Sequence, residues 1–152
     1  MTYTIKGVDW EKELRKLVVL PVFGGRKGRP YQLLKRGTLK LVMHYRPRMY
    51  GASVRGKCRY NGTRIYLGVA GHATAEEIRE VMLHEIMHLV VAPIRRWDDE
   101  GYRRRTTHHP REFKRKMKVA LRQAEKKLGR TVVGVSAAVS TGNPLAGLPA
   151  AA

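Results

Sequence analysis

VMLHEIMHLVV, Val81 to Val91, is the stretch on which the fold turns. It is apolar enough for the middle of a buried helix, yet it carries His84, Glu85 and His88. Residues four apart on an α-helix project from one face, one turn apart. His84 and His88 can therefore reach one Zn²⁺ at about 2.0–2.1 Å. Glu85 lies about 100° round the helix, close enough to approach a metal-activated water without taking a ligand position. His-Glu-x-x-His thus offers two metal ligands and a general base. The rest of the helix is apolar nearly all round, with Ile78, Val81, Met82, Leu83, Ile86, Met87, Leu89 and Val90. Burying unpaired imidazole and carboxylate groups there costs several kcal/mol, a cost that a metal offsets. The alternative is a pair of core histidines satisfied by backbone carbonyls.

Working outward, Thr74-Ala-Glu-Glu77 fits a capping box, so the helix is expected over about 75–92, ending before Pro93. Upstream, 39–45, 52–60 and 63–69 read as strands. Asn61-Gly62 joins the last two as a tight hairpin, because both residues tolerate positive φ. A sheet of about three strands follows. Residues 9–20 read as a short amphipathic helix with Trp10, Leu14, Leu17 and Val18 on one face, ended by Pro21. FGGRKGRP, with its basic loop 24–30, reads as a solvated loop. It lacks the Gly-x-x-x-x-Gly-Lys-Ser/Thr pattern, so no nucleotide site is assigned. Downstream, 93–108 has no period and reads as a long loop. Pro110 then suits the first turn of a second helix, with Phe113, Met117, Leu121, Ala124 and Leu128 as its stripe and Gly129 at its end. The domain is expected over 1–134, with 135–152 a flexible Ala/Gly/Pro tail.

A catalytic zinc takes three protein ligands and leaves a fourth position for water. No histidine lies six residues past His88, where Arg95 and Arg96 fall. The downstream histidines are His108 and His109, at the start of the second helix. The order strand, loop, His-Glu-x-x-His helix is that of a zinc peptidase, in which a strand edge holds the substrate as an extra strand.

Charge points to the partner. The 152 residues carry 31 Lys and Arg against 12 Asp and Glu, a net charge of +19 and a pI near 10.7. Such a balance argues for a polyanion, most often nucleic acid; a merely basic surface or anionic lipid are the alternatives. From Arg95 to Arg130 there are fourteen Lys or Arg against five Asp or Glu. Arg103, Arg104 and Arg105 lie between His88 and His108, and Lys114, Arg115, Lys118, Arg122 and Lys126 lie mostly off the stripe of the second helix. With Trp97 and Tyr102 nearby, this set suits single-stranded or distorted DNA. The lone Cys58 excludes an intramolecular disulfide and a Cys-rich zinc ribbon, and reads as a small buried hydrophobe. The N-terminus has no signal-peptide h-region and no run is long enough to span a bilayer. A reducing cytoplasmic setting is the expectation, in which the Asn61-Gly62-Thr63 sequon is a chance match.

At this point the chain resembles a known family. His84-Glu85-Ile86-Met87-His88, then His109-Pro110-Arg111-Glu112-Phe113 about twenty residues on, is similar to the SprT-like (Spartan-type) zinc metalloproteases. In that family His-Glu-x-x-His is followed by His-Gly-x-x-Phe/Trp, whose histidine completes the zinc site. SVRGKCRYNGTRIYLGV resembles the family's Gly-x-Cys hairpin and the strand before the helix. The resemblance covers about residues 38–120. It implies that His109 is the third ligand beside His84 and His88, with one zinc per chain, and that Phe113 is the family aromatic. Pro110 stands where the family has Gly, and the zinc ribbon of many bacterial members is missing. Studied members cleave proteins on DNA, including covalent crosslinks. The expected fold is α+β and zincin-like: a small antiparallel or mixed sheet packed on the His-Glu-x-x-His helix, with a second helix delivering His109. The expected activity is peptide-bond hydrolysis with Glu85 as base, on DNA-associated proteins. Two rivals stand beside it: a metal-dependent ribonuclease or RNA-processing protein, and a nucleic-acid-binding module with structural zinc.

Overall fold

The computed structural model describes residues 4–97 and 104–129. The chain opens with two short antiparallel strands, β1 (Thr4–Ile5) and β2 (Val8–Asp9), joined by Lys6-Gly7, both at positive φ. Helix α1 (Trp10–Leu17) follows, capped by the Asp9 carboxylate, which accepts from the Lys12 amide. It ends at Leu17 with Val18 as its cap, so the apolar run to residue 20 is a turn and not helix. Pro21–Phe23 and Gly25–Lys27 are 3-10 turns, and Arg29–Lys35 is helix α2, with Pro30 in its first turn. The solvated-loop reading of FGGRKGRP is thus corrected: its glycines punctuate turns, and Pro30 starts a helix too short to show a period.

Strands β3 (Lys40–Arg46), β4 (Val54–Lys57) and β5 (Arg64–Ala70) form one mixed sheet in the order β3-β5-β4. β3 runs parallel to β5 from Lys40↔Arg64 to Arg46↔Ala70, and β4 runs antiparallel to it from Val54↔Val69 to Lys57↔Tyr66. The β4–β5 hairpin therefore stands as expected, but its tight turn does not. Neither Asn61 nor Gly62 has positive φ; the turn is closed by the Gly62 amide donating to the Arg59 carbonyl, inside a longer loop.

Helix α3 (Ala75–His88) starts with the expected capping box: Thr74 accepts from the Glu77 amide, and Glu77 accepts from the Thr74 amide. It ends at His88, short of 92, where the Val90 and Val91 amides both turn back to the Met87 carbonyl. Its polar members are not confined to the site. Arg79 is buried at the other end, its Nε 3.6 Å from Glu13 of α1 and its guanidinium over the Trp10 ring. That ion pair fixes α1 against α3.

The expected loop over 93–108 is a correction. β6 (Ile94–Trp97) and β7 (Arg104–Thr107) pair antiparallel, Ile94↔Thr107 to Trp97↔Arg104. Runs of Arg and Thr carry no apolar alternation, so cross-strand pairing had no periodic signal in the sequence. Helix α4 (Arg111–Leu128) has Pro110 at its N-cap, not in its first turn, and ends at Gly129 with φ 64°. Phe113, Leu121 and Ala124 of its stripe are buried, together with Ala120; Met117 and Leu128 are half-buried.

The core lies between the inner sheet face (Leu41, Met43, Val54, Ile65, Leu67, Val69), α3 and α4, with α1 closing one side. The Val22 amide donates to Gln123 Oε1, tying the first 3-10 turn to α4. The architecture is α+β, as expected. The tail expected over 135–152 lies outside the described residues. No helix among the described residues is long and apolar enough to cross a membrane.

Candidate metal centre

The α3 register delivers His84 and His88 one turn apart, and the β6–β7 hairpin returns the chain so that His109, just before α4, meets them. Their Nε2 atoms form a triangle: His84 to His109 3.0 Å, His109 to His88 3.2 Å, His88 to His84 3.3 Å. A neutral imidazole presents one donor and one acceptor nitrogen. Around a triangle the roles cannot alternate, so at least one pair meets like with like. One cation on the axis resolves this by taking all three lone pairs. In a tetrahedral Zn²⁺ site with bonds of 2.0–2.1 Å, neighbouring nitrogens lie about 3.3–3.4 Å apart, within a few tenths of the observed edges. The three histidines can hold a metal ion.

The rings are prepared as ligands. Burial holds His84 down at about 3 and His88 at about 4, and the neighbouring imidazoles push each further down. His109 is lowered by burial and then by His108 and Lys114. His84 and His88 stay neutral through the physiological range, and His109 is shifted the same way, toward the form that binds metal. Phe113 is the common backing. Its ring centroid is 4.9, 4.7 and 4.9 Å from those of His84, His88 and His109, and its side chain is buried.

Glu85 lies beside the triangle, buried, with its carboxyl pushed up to about 8 by desolvation. Gly56 of β4 makes room for it. A Cβ at that position would stand 2.7 Å from Glu85 Oε1 and 2.7 Å from Val81 Cγ1. The open side of the site is a cleft of about 950 Å³. Its floor is His84, Glu85 and His88; Gly56, Cys58 and Tyr60 line one wall; Pro93, Arg95 and His108 line the other.

His84, Glu85, His88 and His109 therefore converge. His108 lines the cleft but stands outside the cluster. Lys114, Arg115, Lys118, Arg122 and Lys126 are exposed on α4. Arg103 and Tyr102 lie outside the described residues, as do the side chains of Trp97, Arg104 and Arg105. Cys58 is not the buried hydrophobe expected: it is half-buried in the cleft wall, with its thiol raised to about 12 by burial and by Glu85. Three contributors had no role assigned from the sequence, although Gly56 lay within the Gly-x-Cys stretch. Gly56 carried a signal, since a glycine inside a strand marks a close approach. Arg29 and Tyr60 carried none. Arg29 crosses from α2 to donate to the Leu89 carbonyl at 2.9 Å, with its guanidinium 4.4 Å from the Tyr60 ring centroid, bracing the cleft wall.

Comparison with protein-family models, with curated proteins and with solved structures returns no match for this chain.

Proposed function

We propose that the protein is a zinc-dependent metalloendopeptidase of the SprT-like, zincin type, acting on proteins associated with DNA, crosslinked proteins among them. The observation that carries the reading is the triangle of Nε2 atoms with a buried, basic carboxylate beside it in an open cleft. A structural site needs a closed ligand set and has no use for Glu85 or for a cleft. The single-turn placement of His84 and His88, and the delivery of His109 by a separate segment, support the ligand set named from the family resemblance.

When bound, Zn²⁺ would supply a Lewis acid for the scissile carbonyl and for the attacking water. His84, His88 and His109 supply neutral nitrogens and leave one face toward the cleft. Glu85 takes a proton from the water as its oxygen bonds to the carbonyl carbon. It then gives that proton to the amine as the C–N bond breaks, so the carboxylate is restored each turnover. The dry setting that lifts Glu85 strengthens it as a base, and Glu85 would be held ionised beside a bound dication. The net charge of +19 supports a nucleic-acid-bound substrate population.

The test is Glu85→Gln. The amide is nearly isosteric but not basic. The variant should fold, keep about one zinc per chain and lose proteolysis by about 10²–10⁴-fold, measured as cleavage of a DNA-bound protein beside zinc content and melting temperature. Full zinc with undiminished cleavage would defeat the mechanism. Inactive wild-type protein, across several DNA forms, would favour a binding module.

A further inference from the structure

Expectation placed the nucleic-acid contacts on α4 and the segment before it. The sheet carries a stronger candidate. Between Glu13 and Glu76 the chain has fourteen Lys or Arg and no Asp or Glu. The alternation of β3, β4 and β5 turns Leu41, Met43, Val54, Ile65, Leu67 and Val69 toward α3 and brings Lys40, Arg46, Arg55, Lys57 and Arg64 out on the other face, with Val42 and His44 between them on β3. The register aligns them. Lys40 pairs with Arg64, Lys57 with Tyr66, and Arg55 lies opposite Gly68, which leaves the centre of the face flat. Arg46 continues the row beyond.

Among these cations stands Tyr66, 37 % exposed, its hydroxyl accepting from Arg64 at 3.2 Å. Arg55 donates to the backbone carbonyl of Tyr50, itself 87 % exposed, so a second exposed tyrosine lies in the segment that borders the face. Cations with no carboxylate among them match a phosphate backbone. Open aromatic rings on a flat sheet match bases that are free to stack, as duplex bases are not. Lys57 also lies on the wall of the metal cleft, so the face runs up to the reaction site.

We propose that the outer face of the β3-β5-β4 sheet binds single-stranded nucleic acid, with Tyr66 stacking on a base and Arg55, Lys57 and Arg64 on phosphates. The proposal rests on the nucleic-acid part of the proposed function. Its test reads binding alone, so its failure leaves the metal chemistry standing.

The experiment is fluorescence anisotropy of the full chain with a labelled oligothymidylate of about 12 nucleotides and a duplex of equal length, over a salt series. The single strand should bind more tightly. Tyr66→Leu should weaken it by roughly 5- to 100-fold and abolish the preference over duplex, while Tyr66→Phe keeps both. The triple variant Arg55→Gln, Lys57→Gln, Arg64→Gln should flatten the log–log salt slope by about 2. The matching variant of Lys114, Arg115, Lys118 and Arg122 should leave the single-strand preference in place. Photocrosslinking of wild-type protein to the oligonucleotide should label the peptide that contains Tyr66. The proposal is overturned if Tyr66→Leu melts like wild type and binds unchanged, or if the preference follows the α4 variant. It is equally overturned if the sheet variants lose binding to anionic vesicles but not to the oligonucleotide.

Discussion

At the scale of single residues, the site divides adjacent histidines into two kinds. His109 joins the nitrogen triangle, whereas His108 faces the cleft, exposed, beside it. The backbone places both at the mouth of α4, and one residue of register decides which ring reaches the axis. His109→Ala should therefore lose most of the bound metal, while His108→Ala keeps it, as read by zinc content after exhaustive dialysis. Equal zinc in the two variants would remove His109 from the ligand set. That His84 and His88 belong together was legible in the sequence, because a four-residue spacing is a geometric statement about one helix face. The choice of His109 over His108 was not: it came from resemblance, and its geometric reason is a hairpin that the local pattern did not reveal.

At the scale of elements, the close seating of β4 on α3 sets where the carboxylate lies. Gly56 allows the strand to pass within contact of Glu85 and Val81. Gly56→Ala must move either the carboxylate or the strand, since the Val81 branch is fixed to the helix. Such overpacking costs about 1–3 kcal/mol. We expect a lower melting temperature, a zinc content near wild type and a disproportionate loss of cleavage; unchanged cleavage at full zinc would show that Glu85 has slack. Elements with an apolar period or a cap were readable: α1, α3 with its Thr74–Glu77 box, α4 and the three main strands. Those held by pairing or by long-range polar contacts were not. α2, seven residues long, is too short to show a period although Tyr31, Leu33 and Leu34 pack on the core, and β6–β7 pairs largely through Arg and Thr, so neither leaves a repeat in the sequence. The Asn61-Gly62 reading failed for a related reason: the turn type is set by loop length and register, which the dipeptide alone does not determine.

At the scale of the whole molecule, the buried site ties stability to pH in two opposing ways. His84 and His88 titrate at about 3 and about 4 when folded, against 6.5 ordinarily. As pH falls through 6.5 the unfolded chain takes up protons that the folded one refuses, so metal-free stability drops toward pH 4. Glu85 titrates at about 8 when folded, against 4.5 ordinarily. Between those values the folded state holds the extra proton, so stability falls as pH rises. Metal-free protein should melt highest near about pH 6.5 and lower on either side, whereas zinc-loaded protein should lose the alkaline decline. A flat metal-free profile would contradict the burial of these groups. The triangle also joins distant parts of the chain, His88 and His109 being 21 residues apart. An ion there acts as a cross-link, removing loop-closure entropy from every partly opened form of the chain. Its effect should spread well past the ligands. Amide hydrogen exchange along Arg104–Thr107 and in the first turn of α4 should slow when zinc is added, while exchange in β3, outside the clipped loop, changes little. The three-histidine centre would then double as the clasp that holds the second half of the domain shut.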